Sequence, residues 1–258
     1  MAQAMTDTKN KPAWVDLSSA DAAGSREFYA KLFGWQVDVN PDPQYGGYAI
    51  AKIGGSDAAG IGPKMDPNAP TSWNVYIGTN DVDALAKRAS NAGGTVAMEP
   101  MDVGDQGRMA VFKDPSGAYI SGWQGTRMGG FQTNAPSSFG WAELNARGVE
   151  KTLSFYSQIF GWTTKESPMG EGQPPYIEFL LNSESIAGGT EMPAMVPAEV
   201  PSYWLVYFAV EDVDASTRKA IELGSRELVA PMDFAGGRFS ILQDPQGAGF
   251  GLLYMPPR

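Results

Sequence analysis

Two short stretches of this 258-residue chain set a carboxylate beside a tryptophan. Strand alternation would place Trp14 on the same face as Asp16, and Trp141 on the same face as Glu143 and Asn145. A carboxylate in an apolar surround suits general acid or base work, because burial disfavours its charge. It equally suits pairing with an amine on a flat ligand. Tyr76 and Tyr207 add hydroxyl groups on later segments. What is missing narrows the chemistry further. The chain has no histidine and no cysteine. Serine–histidine triads, thiol nucleophiles, disulfides and imidazole or thiolate metal sites cannot be built from this chain alone.

The net charge of −10 and the low isoelectric point argue against nucleic acid, which needs a basic face. They fit a soluble, self-repelling surface. The N-terminus has no apolar signal-like core, and no apolar run approaches the roughly 20 residues of a membrane span. The expectation is a cytoplasmic protein with no nucleic-acid or membrane partner.

The elements that must position these residues occur twice. Phe28-Tyr29-Ala30-Lys31-Leu32-Phe33-Gly34-Trp35 returns, 127 residues later, as Phe155-Tyr156-Ser157-Gln158-Ile159-Phe160-Gly161-Trp162. Asp81-Val82-Asp83 returns as Asp212-Val213-Asp214, and Asp114-Pro115-Ser116-Gly117 as Asp244-Pro245-Gln246-Gly247. Matched blocks in one order at a nearly constant offset mark a duplicated domain. Each copy opens on a strand, Trp14–Leu17 or Trp141–Asn145. A helix follows, over 22–33 with Asp21 as its N-cap, or over 149–160, and a glycine ends it. Strands are expected at Tyr48–Ile53, Trp73–Ile77, Arg108–Lys113 and Ala118–Trp123, with a loop through Pro63, Pro67 and Pro70. The pattern is strand, helix, strands, repeated four times as βαβββ, which is an α+β architecture. Residues 1–11 read as a flexible N-terminus, 12–124 as the first domain, 125–138 as a linker that Phe131 pins in part, and 139–258 as the second domain.

The order of these blocks, present in both halves from about residue 12 to 255, resembles the vicinal oxygen chelate superfamily. This is the group of glyoxalase I, bleomycin-resistance proteins, fosfomycin-resistance enzymes and extradiol dioxygenases. The chain is most similar to its tandem two-domain form, common in actinobacteria and found in places beside antibiotic biosynthesis genes. The resemblance implies two tandem domains, each of two paired βαβββ modules forming a U-shaped sheet around a cavity. It also implies a divalent metal, held by His and Glu in the catalytic members.

This sequence departs from that ligand set. The first family position, fourteen residues before the helix Phe, is Trp14 in one half and Trp141 in the other. The second is Asn74 or Leu205, and the third is Ser121 or Gly251. The remaining position falls on the strands around Ile50 and Glu178. Indole N–H is a donor only and cannot replace imidazole. The expectation is therefore a site without metal or other cofactor, lined by Trp14, Asp16, Asn74, Tyr76, Ser121 and Trp123 in one half. In the other, Trp141, Glu143, Asn145, Leu205, Tyr207 and Gly251 line it, with Gly249 and Gly251 leaving room for a ring. Each of these aromatic residues could equally serve core packing. Trp35, Trp73, Trp162 and Trp204 read as core, and Arg108 and Arg238 as surface ion pairs. Met65, Met169, Met192 and Met195 sit in loops that suit flaps.

Three functions remain open. The first is a monomeric, metal-free binding protein for a planar aromatic or polyketide-like molecule, an antibiotic or its precursor. It would act in sequestration or beside an oxidative biosynthetic enzyme. The second is a lyase, isomerase or oxygenase-type enzyme working through Asp16, Glu143, Tyr76 or Tyr207. The third is a protein-interaction scaffold.

Overall fold

The structure is a computed structural model that describes residues 8–126, 131–170 and 172–256. Four βαβββ modules follow one another. The first is β1 (Pro12–Ser19), α1 (Ala22–Phe33), β2 (Gln36–Val39), β3 (Ala49–Ile53) and β4 (Ser56–Pro63). The second is β5 (Ser72–Gly78), α2 (Val82–Asn91), β6 (Thr95–Val103), β7 (Gly107–Lys113) and β8 (Tyr119–Gly125). The third is β9 (Phe139–Ala146), α3 (Glu150–Phe160), β10 (Thr163–Ser167), β11 (Tyr176–Leu181) and β12 (Glu184–Glu191). The fourth is β13 (Tyr203–Ala209), α4 (Val213–Glu222), β14 (Arg226–Phe234), β15 (Gly237–Gln243) and β16 (Gly249–Tyr254). The fold is α+β with two eight-stranded sheets, ordered β2-β3-β4-β1-β5-β8-β7-β6 and β10-β11-β12-β9-β13-β16-β15-β14. Within a module the first and last strands run parallel and the others antiparallel. No helix among the described residues is long and apolar enough to cross a membrane.

The sequence explains most of these elements. Asp21 Oδ1 accepts from the Gly24 N–H at the start of α1, and Gly34 closes the helix at φ +73°. Asp81 and Asp212 cap α2 and α4 in the same way. The start of α3 has no such side chain of its own. Glu191 on β12 reaches over and accepts from Gly148 N–H and Val149 N–H instead.

Strands β4 and β12 were not located by the sequence reading, because Ser56–Pro63 and Glu184–Glu191 are rich in glycine and alanine and carry few strand formers. The glycines serve close packing. A Cβ on Gly60 or Gly62 would collide with the Tyr48 ring.

The two sheets follow the halves of the sequence, but side-chain packing does not. One compact unit comprises the described residues of Met1–Trp14, Val75–Gly130 and Ala142–Trp204, and the other those of Val15–Asn74, Phe131–Trp141 and Leu205–Arg258. In the first, α2 packs on α3; in the second, α1 packs on α4. Each unit is fastened by a buried triad built from the repeated motifs. Tyr29 donates to Asp244 Oδ2 at 2.9 Å and accepts from the Trp73 indole N–H at 2.9 Å. Tyr156 likewise donates to Asp114 Oδ2 at 2.8 Å and accepts from Trp204 at 2.9 Å. The tyrosine of one half thus meets the Asp-Pro turn of the other. Trp35 and Trp162 stack on Tyr29 and Tyr156, so all four of these tryptophans belong to the core.

The connecting segments are partly tied down. Residues 1–7 lie outside the described residues, but Thr8–Lys11 are not loose. Asn10 N–H donates to Gly78 O, Gly78 N–H donates to Lys11 O, and the Trp162 indole donates to Asn10 O. A Cβ on Gly78 would meet the Thr8 carbonyl at 2.3 Å, so glycine admits this close approach. Backbone pairing of this kind needs no apolar side chains and leaves no trace in polarity. In the linker, residues 127–130 lie outside the described residues. Phe131 packs on Phe139 at 5.3 Å, and Gln132 N–H donates to Asp57 O.

Candidate functional site

In each module one sheet face meets a helix and the other turns away. Gly122 faces α2, because a Cβ there would meet Leu85 at 2.5 Å. Its neighbours Ser121 and Trp123 therefore lie on the averted face, as does Tyr76, whose register partner is Ser121. Ser19 bonds Ser25 of α1, so Trp14, Asp16 and Ser18 alternate onto the averted face of β1. Ser240 bonds Thr217 of α4, which turns Phe239, Gly251, Leu253 and Tyr207 away from that helix. Phe179 packs on Tyr156 of α3, leaving Glu178 and, across Gly188, Glu143 on the averted side. Asn145 shares that side with Glu143, two residues along β9. Trp14, Tyr76, Ser121, Trp123, Leu205 and Tyr207 are buried there, while Trp141, Glu143 and Asn74 are half-buried.

In the first module Asp16 stands in a polar group and is 8% exposed. Its Oδ2 accepts from Tyr48 Oη at 3.2 Å and its Oδ1 from Asn74 Nδ2 at 2.9 Å. The same amide reaches Ser18 Oγ at 3.1 Å. Tyr48 was not among the sequence candidates. Its signal was the pair Gly60 and Gly62 on the neighbouring strand β4, whose missing side chains make room for the ring.

The averted faces of the second and fourth modules are chiefly aromatic. In the second module Tyr76 meets Trp123 edge-on at 6.5 Å. In the fourth, Tyr207 meets Phe239 at 6.3 Å, and Phe239 meets Phe234 at 5.9 Å, each near perpendicular. The row runs outward from buried Tyr207 to Phe234, which is 43% exposed on the edge strand β14. Phe234 and Phe239 also escaped the sequence reading. One expectation is corrected here: the space at Gly251 is already taken by the protein's own Tyr207 ring, 2.0 Å from where a Cβ would stand. Gly249 is less crowded, with Leu205 at 3.6 Å.

The third module is the charged one. Glu178 accepts from Ser185, Lys165 and Ser167. The Ser185 bond first, and the Lys165 bond next, hold its carboxyl down to about 2. The Asn145 amide donates to Glu143 Oε1 at 3.4 Å, and the Glu143 charge, after burial, helps raise the Tyr203 phenol above its usual value.

A divalent metal of the kind the resemblance implies does not fit these residues. The three positions hold indole, amide or alkyl, and hydroxyl or hydrogen, and among the described residues no three His, Cys, Asp or Glu side chains gather to hold an ion. Arg108 pairs with Asp83 and Asp102, and Arg238 with Asp214 and Asp233, so both arginines are spent on the surface. Of the loop methionines, Met65, Met169 and Met195 are exposed and Met192 is buried.

Comparison with known proteins agrees with this architecture. The family model described as Glyoxalase/Bleomycin resistance protein/Dioxygenase superfamily matches residues 11–121 and again 138–252. "Putative glyoxylase CFP32" of Mycobacterium tuberculosis (strain CDC 1551 / Oshkosh) is 39% identical over 254 residues, covering 96% of this chain and 95% of its own. "Anthracycline biosynthesis protein DnrV" of Streptomyces peucetius is 39% identical over 257 residues, covering 94% and 92%. Among solved structures, the Mn(II)-bound glyoxalase from Novosphingobium aromaticivorans superposes with a TM-score of 0.67 at 18% identity, over 96% of this chain and 82% of that one. The 2,3-dioxygenase LapB from Pseudomonas sp. KL28 gives 0.68 at 14%, over 98% and 96%. At such identities the solved structures speak for the fold alone. The duplicated match, spanning most of the chain, shows that it belongs to the glyoxalase/bleomycin resistance protein/dioxygenase superfamily.

Proposed function

We propose that this protein binds a planar, largely apolar aromatic molecule without using a metal, and serves antibiotic biosynthesis as an accessory that holds a substrate or product of an oxidative enzyme. The observation that carries the reading is the row Phe234, Phe239, Tyr207, which leads from an exposed edge strand onto a buried sheet face turned away from the helices. Perpendicular rings at 5.9 and 6.3 Å present both edges and faces to a flat guest. Met232, beside them and 48% exposed, supplies an adaptable apolar contact at the rim. The Streptomyces relative, named for anthracycline biosynthesis, supports a polycyclic aromatic as the ligand class. The identity of the residues at the family's metal positions supports binding without an ion.

Titration with daunorubicin tests this, followed by tryptophan fluorescence and by calorimetry. We expect saturable binding that survives chelator, and a loss of about tenfold or more in Phe239→Ala, which removes a large buried contact. Absence of binding for daunorubicin and for a panel of other planar polycyclic compounds would overturn the reading.

A further inference from the structure

We propose that the averted face of the second module holds a soft monovalent cation of the Cu(I) class, bound by the thioether sulfurs of Met98, Met101 and Met109. None of the three occupies one of the family's metal positions, and none belongs to the aromatic row of the fourth module.

The chain has twelve methionines and neither cysteine nor histidine, so thioether is its only soft side-chain donor. The register of β6 and β7 brings three of those methionines onto one face. Met101 stands directly opposite Met109, and Met98 opposite Val111, two residues further along β7. Met98 and Met101 are three apart in sequence, so plain alternation would put them on opposite faces. The register shift between them returns both to the averted side. Opposed Cβ atoms stand about 4.5–5.5 Å apart and diagonal ones about 7–8 Å, within reach of long, flexible side chains that meet at one ion. Met109 is in turn opposite Trp123, whose ring lies over Gly107, where a Cβ would meet it at 2.8 Å. An indole beside the sulfurs adds cation–π attraction. The face is reached from solvent, since Met101 is 38% exposed and Met98 and Met109 are half-buried. Nearby cations are held elsewhere, Arg108 by Asp83 and Asp102, and Lys113 over the Tyr119 ring at 4.8 Å. The fourth module supplies an internal comparison. There Val229, Met232 and Phe239 stand at the equivalent places, so two of the three sulfurs are lost. Neutral thioethers hold soft ions and not hard divalent ones, so this site follows the same donor chemistry that excludes the family's metal.

The test is titration of the intact protein with Ag(I), a redox-silent stand-in for Cu(I), in chloride-free buffer, followed by calorimetry and by tryptophan quenching. One equivalent should bind saturably, and Cu(I) supplied without oxygen should displace it where Zn(II) does not. Met101→Leu and Met109→Leu keep volume and apolar character, and each should weaken binding by about tenfold or more, at least what disturbing a metal ligand's support costs. Met192→Leu and Met232→Leu should leave it unchanged. Peroxide footprinting read by mass spectrometry gives a second measure on the unaltered protein. There Ag(I) should protect Met101 and Met109 from sulfoxide formation and leave the exposed Met195 as reactive as before. Absence of saturable binding, equal displacement by Zn(II), no protection of Met101 and Met109, or an affinity that survives Met98→Leu/Met101→Leu/Met109→Leu overturns the proposal.

Discussion

Replacing Tyr29 by phenylalanine removes one oxygen from the centre of a buried triad. That oxygen donates to Asp244 Oδ2 and accepts from Trp73 Nε1, each at 2.9 Å. Asp244 Oδ1 keeps its bonds from Gln246 N–H and Ala248 N–H, so the turn itself survives. The loss leaves one carboxylate oxygen and one indole N–H without these partners in a buried setting. Each such orphan costs about 1–3 kcal/mol, so the pair comes to about 2–6 kcal/mol. Against a domain stability of about 5–15 kcal/mol this is a severe change. The effect should also be local to one unit: Tyr29, Trp73 and Asp244 all lie in the unit that pairs α1 with α4. Urea denaturation followed by far-ultraviolet circular dichroism and tryptophan fluorescence measures it. We expect Tyr29→Phe to lower the midpoint of one transition, Tyr156→Phe to act alike on the other unit, and the double substitution Tyr29→Phe/Asp244→Ala to cost less than the sum of its parts. A Tyr29→Phe effect below about 0.5 kcal/mol, or strict additivity with Asp244→Ala, would refute the argument, since residues sharing a hydrogen-bond network must couple.

The same triads predict alkaline lability: burial first, then the neighbouring aspartate, pushes the Tyr29 and Tyr156 phenols well above their usual range. The folded state then keeps protons that the unfolded state releases above about pH 10, so stability is present below that pH and falls as pH rises; Tyr156→Phe should flatten the fall in melting temperature. Glu178 works in the opposite direction, because its carboxyl is held at about 2 against 4.5 for the free group. Its contribution is present above pH 4.5 and lost as pH drops toward 2, and exposure of Lys165 reduces it to about 1–2 kcal/mol, which acid denaturation of Glu178→Gln should reveal as a shallower loss. Gly251→Ala should cost about 1–3 kcal/mol by displacing the Tyr207 ring, read as a lowered melting temperature, and Ser121→Ala in the equivalent position should cost less.

Duplication, the capped helices and the averted alternation were legible because each has a local cause. Asp21 and Gly34 announce α1 by themselves, and Trp14, Asp16 and Ser18 alternate whatever they pack against. The grouping of β5–β8 with β9–β12 was not legible, since it depends on which surfaces meet, and a repeat tells only that two segments are alike. β4 and β12 escaped notice for a related reason: their glycines answer to rings beside them in the sheet, Tyr48 against Gly60 and Gly62 and Phe179 against Gly189. The candidate site divided along the same line. Asp16 and Tyr207 could be placed by counting along a strand. Tyr48, Phe234 and Phe239 could not, because they acquire meaning only from the residues they touch.

Two of the motifs that mark the duplicated domain are the two ends of one bond. The tyrosine of Phe-Tyr in each half donates to the aspartate of Asp-Pro in the other. Neither motif touches the averted faces, so their persistence carries no information about catalysis; they report on how modules are fastened. On those faces the halves differ: Asn74 against Leu205, Ser121 against Gly251, Trp123 against Leu253, Asp16 against Glu143. A duplicated scaffold held by equivalent triads lets its averted faces diverge, and here they differ module by module: a polar group around Asp16, an aromatic pair of Tyr76 and Trp123, a charged group around Glu178, and the row from Tyr207 to Phe234.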